Sequence, residues 1–176
     1  FRGDGVGFTN LQVFDTAGTY SFTIPSGVTK IMVEALGAGG GSGGGMEMTA
    51  FESWTDTCFP MVGGSGGSGG YGKDIVDVVS GNTYSLVVGM GGVGGVGGVS
   101  CGDGTDGSSG GASSFGSLIS ATGGEGGKGA KVSYGRSGSP PGAPPGTSSA
   151  RINSNRGYYF LVYTDTIPGY GDGGNG

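Results

Sequence analysis

The sequence predicts an all-β, β-sandwich-like domain that contains short polyglycine II helices or ordered glycine-rich loops and essentially no α-helix. Glycine makes up 48 of the 176 residues, and each glycine inside a helix costs roughly 1 kcal/mol relative to alanine. Apolar residues cluster between the glycine tracts in short alternating runs, which is the period-2 pattern of half-buried strands. The length suits one domain, so we predict a single glycine-rich β domain over 1–176, with 46–62 and 131–157 as inserted loops.

The alternating runs place the strands. Residues 11–24 contain two runs separated by a tight turn at Ala17-Gly18, and Pro25-Ser26-Gly27 ends the second. In the next run Val28, Ile31 or Met32, and Val33 are the inward candidates. A hairpin-type connection at Ser80-Gly81-Asn82 is expected between two later strands. The remaining predicted strands and apolar runs are 28–36, 74–79, 83–88, 115–122 and 158–167.

The glycine tracts repeat with a period of three. Gly-Gly-Val occurs three times over 91–99, and the spacing continues through 104–110 and 123–129. Polyproline II geometry has three residues per turn, so a Gly-Gly-X run places X on one edge and bare backbone on the other two. We expect backbone groups to pair between such helices, with Val93, Val96 and Val99 as an apolar ridge facing a core. The tract 63–70 is equally compatible with a flexible linker.

Composition excludes several classes of function. With no histidine the chain has no Ser-His-Asp triad and no His-ligated zinc, and two cysteines cannot form a four-sulfur zinc site. The net charge of −5 with scattered bases disfavours nucleic-acid binding, and no apolar run approaches the ~20 residues that span a bilayer. We therefore expect no catalytic residues, cofactor, metal, nucleic-acid partner or membrane insertion. Asp103 and Asp106 are a weak calcium candidate, because two carboxylates fall short of the 6–8 oxygens that calcium takes.

Three stretches carry a family likeness. The run from Phe14 to Lys30 leading into Gly37-Ala38-Gly39-Gly40-Gly41, the run from Thr83 to Gly92, and Gly111 to Gly116 leading to Ala121-Thr122-Gly123-Gly124 resemble glycine-rich domains of bacteriophage tail-fibre and tail-tip proteins. The resemblance covers most of 11–129 and implies a β-sandwich-like part with glycine-rich loops or polyglycine helices. It also implies a place on the phage exterior, where glycine-rich segments form the scaffold of tip adhesins and variable segments contact the bacterial receptor.

Two inserted loops are the candidate recognition surfaces. Loop 46–62 presents Phe51, Trp54 and Phe59 between two glycine tracts, and aromatic residues are enriched in interface cores and stack on sugars. The alternative is that these rings fill a core that glycines leave short of side chains. Segment 131–157 holds Tyr134, Arg136, Arg151 and Arg156, a cluster suited to an anionic sugar, or else a solvated loop.

The two cysteines allow one disulfide. Cys58 and Cys101 lie in two different loops, and a bond between them suits an extracellular particle; two free thiols are the alternative. The chain begins at Phe1 rather than Met, which we interpret as a processed product or a fragment.

These observations favour a non-enzymatic protein on the virion surface or otherwise outside the cell. The leading hypothesis is a phage tail-fibre or tail-tip protein that binds a bacterial surface glycan or outer-membrane protein. A self-assembling subunit of an extracellular filament or coat is the alternative, with the first strand at 11–15 or the last at 158–167 as a pairing edge. A polyglycine ice-binding protein is a further alternative, disfavoured by the bulky 46–62 insert. We expect a homo-oligomer, either a trimer or a filament.

Overall fold

A computed structural model of the chain describes residues 10–46 and 60–131 in full, together with the backbone of 160–164. The described residues form eight β-strands and no helix, which confirms the all-β fold class. None of them builds a helix long and apolar enough to cross a membrane. The strands are β1 (Asn10–Phe14), β2 (Gly18–Thr23), β3 (Lys30–Leu36), β4 (Tyr71–Asp77), β5 (Thr83–Val88), β6 (Ser113–Phe115), β7 (Ile119–Ala121) and β8 (Phe160–Thr164).

The strands form two four-stranded antiparallel sheets. The first has the order β1-β8-β3-β4 and the second the order β2-β5-β6-β7. Strands β3 and β4 of the first sheet contact β6 and β7 of the second. Alternate residues of β5, β6 and β7 are buried between the sheets, as the period-2 pattern requires.

The core lies between these sheets. Of the predicted inward residues, Val28, Ile31 and Val33 are fully buried, while Met32 is only half-buried. Phe115 is also fully buried, with its ring 5.1 Å from that of Tyr84. The other core residues are Phe22, Ile24, Ala35, Val76, Val78, Leu86, Val88, Ile119 and Ala121.

Strand pairing differs from the local prediction in three places. The turn at 79–82 forms, with Asn82 N–H donating to the Val79 carbonyl, but β4 and β5 belong to different sheets. The connection between β4 and β5 therefore crosses from one sheet to the other and is not a hairpin. Strands β1 and β2 likewise belong to different sheets. The final strand is not an edge, because β8 lies between β1 and β3. Local sequence identifies strands and turns, whereas burial of both inner faces decides which strands pair.

Five glycine segments continue the strands beyond one end of the sandwich. We label them g1 (37–45), g2 (63–70), g3 (89–98), g4 (102–111) and g5 (122–131). Segments g1, g3 and g5 follow β3, β5 and β7, while g2 and g4 lead into β4 and β6. At the ~3.1 Å rise of a three-residue turn, nine residues extend about 28 Å.

The segments form a bundle held by backbone hydrogen bonds at every third residue. Central g1 donates from Gly37, Gly40 and Gly43 to g2, and every other bonded pair of segments repeats this spacing, with N···O distances of 2.7–3.0 Å. Segment g1 bonds to all four others, and g2–g5, g4–g5 and g3–g4 bond as well. The tract 63–70 is thus an ordered part of the bundle and not a linker. The three-residue spacing is the one that the predicted threefold geometry requires.

Glycine is needed where one segment touches the next. A Cβ added at Gly40 would lie 2.0 Å from the Glu125 carbonyl oxygen, and one added at Gly66 would lie 2.0 Å from that of Gly40. Contacts this close do not occur, and the opposing atoms are backbone, which cannot rotate away. By contrast, nothing lies within 4 Å of a Cβ at Gly91. Side chains are therefore confined to the positions that point out of the bundle.

The valine ridge was predicted on the wrong side. Val93, Val96 and Val99 are 69%, 73% and 70% exposed, so they do not face a core. The physical reason is that the inner positions of g3 admit no Cβ: at Gly92 and Gly95 it would meet the backbone of g4 and g1 within 2.7 Å. The valines therefore lie at outward positions, where a side chain has room.

A buried serine ties the sandwich to the bundle. Ser113, at the start of β6, donates from its hydroxyl to the Leu36 carbonyl at 2.7 Å and accepts from the Gly89 N–H at 3.0 Å. These two groups lie where β3 becomes g1 and where β5 becomes g3. One fully buried hydroxyl thus bonds both backbone groups. They lie where the two-residue repeat of the strands gives way to the three-residue repeat of the glycine segments.

Replacing a contact glycine is expected to destabilise the protein strongly. Gly40→Ala forces backbone apart in the centre of the bundle, so we expect a loss of about 3 kcal/mol or more, the upper range for overpacking. Gly91→Ala is the matched control, with an expected change from zero to a gain of about 1 kcal/mol, because it restricts the unfolded chain without a clash. Denaturant unfolding of both variants measures the difference, and equal stabilities would contradict the close packing.

Removing the Ser113 hydroxyl should also be costly. Ser113→Ala leaves the Leu36 carbonyl and the Gly89 N–H buried without this partner, so we expect about 2 kcal/mol of destabilisation. Ser117→Ala, in the exposed β6–β7 turn, should lie within about 0.5 kcal/mol of wild type. Thermal unfolding compares the two, and a Ser113→Ala midpoint equal to that of the control would refute the junction role.

Candidate functional site

Both predicted loops leave the bundle at the end that lies away from the sandwich. Loop 46–62 is closed by Met46 and Met61, whose backbones pair through an N–H···O bond of 2.7 Å. Segment 131–157 begins at Lys131, next to Ala130, whose N–H donates to Gly44 of g1 at 2.9 Å. The two loops therefore start from adjacent segments of one scaffold. We call this end of the bundle the far end.

The turn between g3 and g4 lies at the same end. Gly102 N–H donates to the Val99 carbonyl at 2.9 Å, and the two residues between them, Ser100 and Cys101, have φ values of 50° and 63°. Positive φ at both central positions is the type I′ pattern that joins antiparallel chains tightly. Cys101 is disulfide-bonded. Its predicted partner, Cys58, lies outside the described residues, so the pairing stays a prediction.

The predicted recognition side chains also lie outside the described residues. These are Phe51, Trp54 and Phe59 of the first loop and Tyr134, Arg136, Arg151 and Arg156 of the second. For these residues the structure gives only the points where their loops leave the bundle.

One face of the bundle carries a ladder of charges between g4 and g5. Lys128 Nζ lies 2.8 Å from Asp106 Oδ2, and Lys131 Nζ lies 3.2 Å from Asp103 Oδ2. The calcium candidates thus each face an ammonium group. Elsewhere in 10–46 and 60–131, no three His, Cys, Asp or Glu residues are grouped to hold a metal.

Hydrogen bonds stabilise the ionised form of the Asp106 carboxyl. The Lys128 ammonium, followed by the Gly129 N–H at 2.8 Å, lowers the pKa of the Asp106 carboxyl below its ordinary 3.8. The same hydrogen bond raises the pKa of Lys128 above its ordinary 10.5. Both groups are exposed to solvent, so the pair orders the surface and adds little stability.

The opposite face of g1 is open. Its N–H groups at 37, 40 and 43 bond g2 and those at 38, 41 and 44 bond g4, whereas Gly39, Ser42 and Gly45 donate to no acceptor in the described part of the chain. Segments g2 and g3 flank this row and share no hydrogen bond with each other within the described ranges. We call the surface formed by g2, g1 and g3 the open face.

A groove runs along this face toward the far end. Its volume is about 610 Å³, and it is lined by glycines together with Ser42, Met46, Met61, Val62, Ser65 and Val99. The lining carries no charged side chain. The groove therefore offers backbone donors on its floor and apolar side chains on its walls.

Sequence reasoning missed both faces. The sequence does contain a signal for the charge ladder. Asp103 and Asp106 are three residues apart, as are Lys128 and Lys131, and equal spacing is what an antiparallel pairing of g4 with g5 requires. The open face had no signal of its own. Which N–H row stays unpaired depends on how many segments surround g1, and that number is a property of the tertiary fold.

The Asp106 pair gives a test of the ladder. A carboxylate with a lowered pKa stays charged above its ordinary value and loses its pair as pH falls through the lowered one, so this contact persists until below pH 3.8. Lys128→Met should raise the pKa of Asp106 toward its ordinary value, whereas Lys30→Met, at the distant Asp77 pair, should leave it unchanged. Carboxyl NMR titration measures both, and an unchanged Asp106 in Lys128→Met would contradict the pairing.

Comparison with known proteins defines the family. No curated protein matches the chain. A family model described as "Glycine-rich domain" matches residues 15–176, a span that includes β2 to β8 and all five glycine segments. The chain belongs to this glycine-rich domain family.

Proposed function

We propose that the chain is a non-enzymatic structural and receptor-binding protein of a phage tail fibre or tail tip, exposed outside the cell. Its partner would be a bacterial surface glycan or an outer-membrane protein. The observation that supports this most is that both predicted recognition loops leave the bundle at its far end. A protein that presents variable segments to a receptor needs this arrangement.

The bundle suits such a role because it is a stiff support. Central g1 is bonded to four neighbours, and backbone groups at the contacts are packed too closely for side chains to intervene. Binding groups on a rigid element lose less freedom when they bind. The Met46–Met61 bridge fixes the base of the aromatic loop, and a base of this kind limits the freedom of an exposed binding loop.

The recognition chemistry rests on the loop residues. Phe51, Trp54 and Phe59 would supply apolar faces for sugar rings or for an apolar protein surface. Tyr134 and Arg136 would supply a planar cation and a ring for an anionic sugar. Together the two loops would offer stacking and charge to a receptor.

A filament or coat subunit is the second candidate. Strand β1 is an edge of its sheet, and its Leu11 and Val13 are each 52% exposed. An unprotected edge strand can accept a strand from another subunit. Electron microscopy separates the two proposals, because a filament subunit forms long fibres of uniform width and an adhesin forms discrete particles.

Replacing the aromatic loop residues tests the leading proposal. We expect the triple change Phe51→Ala, Trp54→Ala, Phe59→Ala, with Cys58 retained, to weaken binding to a susceptible bacterial strain by about tenfold or more. A sedimentation assay over a panel of strains identifies that strain and measures the loss. The unfolding midpoint should stay near wild type, since the rings would act at a surface and not in a core.

The control lies at the opposite end of the molecule. Val79 and Leu118 are 59% and 40% exposed in the turns of the sandwich farthest from the bundle. Val79→Ala with Leu118→Ala removes apolar surface there and should leave binding unchanged. A triple variant that binds as wild type does, or a wild-type protein that binds no strain in the panel, would overturn the proposal.

A further inference from the structure

The chain between g5 and β8 has to travel the whole length of the bundle. Segment g5 ends at the far end, where the Ala130 N–H donates to Gly44. Strand β8 begins at Phe160, which pairs with Ala35 just before g1 starts. Residues 132–159 connect these two points. Because g1 extends about 28 Å in threefold geometry, about nine residues of this stretch suffice for the return.

The direction of β8 shows that this return ends beside g1. Strand β8 runs antiparallel to β3, as β4 does on the other side. The residues before Phe160 therefore enter the sheet from the bundle, in the same direction in which g2 enters β4. Segment g2 already has its place beside g1, where it accepts from Gly37, Gly40 and Gly43. The row that has no acceptor within the described ranges is the one at 39, 42 and 45.

The other described segments leave this side of g1 uncovered. Gly39 and Ser42 are exposed, whereas Ala38, Gly41 and Gly44 are buried. The N–H groups of the row recur about 9 Å apart at the rise of a three-residue turn, and the groove with its apolar walls lies beside the far half of the row. An occupant therefore has to supply a carbonyl at every third residue and an apolar side chain near the far end.

The neighbouring pair of segments shows how strand register passes into the bundle. Leu36 is the last residue of β3 and pairs with Tyr71, and the next residue, Gly37, donates to Gly70. The later bonds of g1 to g2 keep this register, with no residue inserted or skipped. A register set by strand pairing is therefore continued through a whole glycine segment.

We propose that residues 150–159 return along the open face as a sixth segment of the bundle, in the register set by the pairing of Ala35 with Phe160. Each N–H of the open row then meets one backbone carbonyl. The expected pairs are Gly39 with Arg156, Ser42 with Asn153, and Gly45 with Ala150. The return path follows from the connectivity of the chain, so it does not depend on receptor binding.

The sequence of this segment suits the groove. In g2 the residue before each acceptor points at g1, as the positions of a Cβ at Gly63 and Gly66 show. The corresponding residue before Asn153 is Ile152, the one large apolar residue in 147–157. In the proposed register Ile152 lies at the level of the groove, whose volume of about 610 Å³ leaves room for its side chain.

The return path divides the second predicted recognition loop. Arg151 and Arg156 would lie along the side of the bundle, away from the tip. Tyr134 and Arg136 would stay in the part of the chain that is free to remain at the far end with the 46–62 loop. The receptor-binding part of the second loop is then the stretch before the return segment.

Amide hydrogen exchange of the full chain tests the return path without any receptor. Relative to their intrinsic rates, Gly39, Ser42 and Gly45 should exchange about 100-fold more slowly than Asp106 and Ser109 of g4. The g4 amides are the matched control, because they also donate to no acceptor in the described ranges and are exposed on the charged face. The slow exchange should persist unchanged across a dilution series.

Two results of this measurement would overturn the proposal. Equal protection of the two sets of amides would show that nothing covers the row. Protection that disappears on dilution would assign the open face to a second copy of the chain. Neither result bears on bacterial binding, so failure of the return path and failure of the proposed function are distinguishable.

An insertion tests which segment covers the row. Gly-Ser added between Ser154 and Asn155 leaves the residue opposite Gly39 in place but shifts those opposite Ser42 and Gly45 out of the three-residue repeat. We expect protection at these last two amides to fall about tenfold or more while that at Gly39 remains. Unchanged protection at all three would show that another part of the chain covers the row, and the proposal would be wrong.

Two further variants keep this test interpretable. The same insertion between Gly142 and Ala143 lies outside the return segment and should leave the row protected. Ile152→Asp keeps the chain length and should lower the protection at Ser42, because it places a carboxylate in an apolar groove. Slow exchange at Gly40, which donates to g2, shows in each variant that the bundle is folded.

Discussion

The structure depends on backbone approaching backbone with no side chain between. In the bundle each segment donates or accepts at every third residue, and the contacts at Gly40 and Gly66 leave no room for a Cβ. Hydrogen bonds then replace the apolar packing that holds ordinary cores together. The requirement is strictest for g1, because it has four bonded neighbours, and in 37–45 only Ala38 and Ser42 are not glycine.

The sandwich provides what the bundle cannot provide for itself. Glycine segments lose more conformational freedom on folding than other chains do, so they need their ends fixed. Each is anchored to a strand whose partner is set by a side-chain core, and the Ser113 hydroxyl holds the β3 and β5 ends together. The pairing of β3 with β4 sets the register of these two strands. Segments g1 and g2 keep the same antiparallel register, but their hydrogen bonds recur at every third residue.

Much of this could be predicted from local patterns. The run at Thr83–Val88 is β5 with the same limits, Val28, Ile31 and Val33 are buried as expected, and the three-residue glycine spacing does become a hydrogen-bond spacing. Errors arose where several segments decide the outcome together. The sequence shows that Val93 recurs every third residue but not that g1 and g4 occupy the inner sides of g3, so the ridge was placed inward. The same limit hid the open face, since an unpaired N–H row appears only when the neighbours of g1 are known.

Confining side chains to outward positions separates the surface chemistry from the fold. Every third residue of a segment can change without touching a backbone contact, so g3 displays valines while g4 and g5 display charges. Each face then has its own character, apolar and uncharged on one side and ionic on the other. At the far end, the base of the 46–62 loop is fixed by backbone pairing of Met46 with Met61. A scaffold of this kind can keep its bundle constant while faces and loops are altered to meet different partners. This is the physical reason to look for function in the loop ends and not in the core.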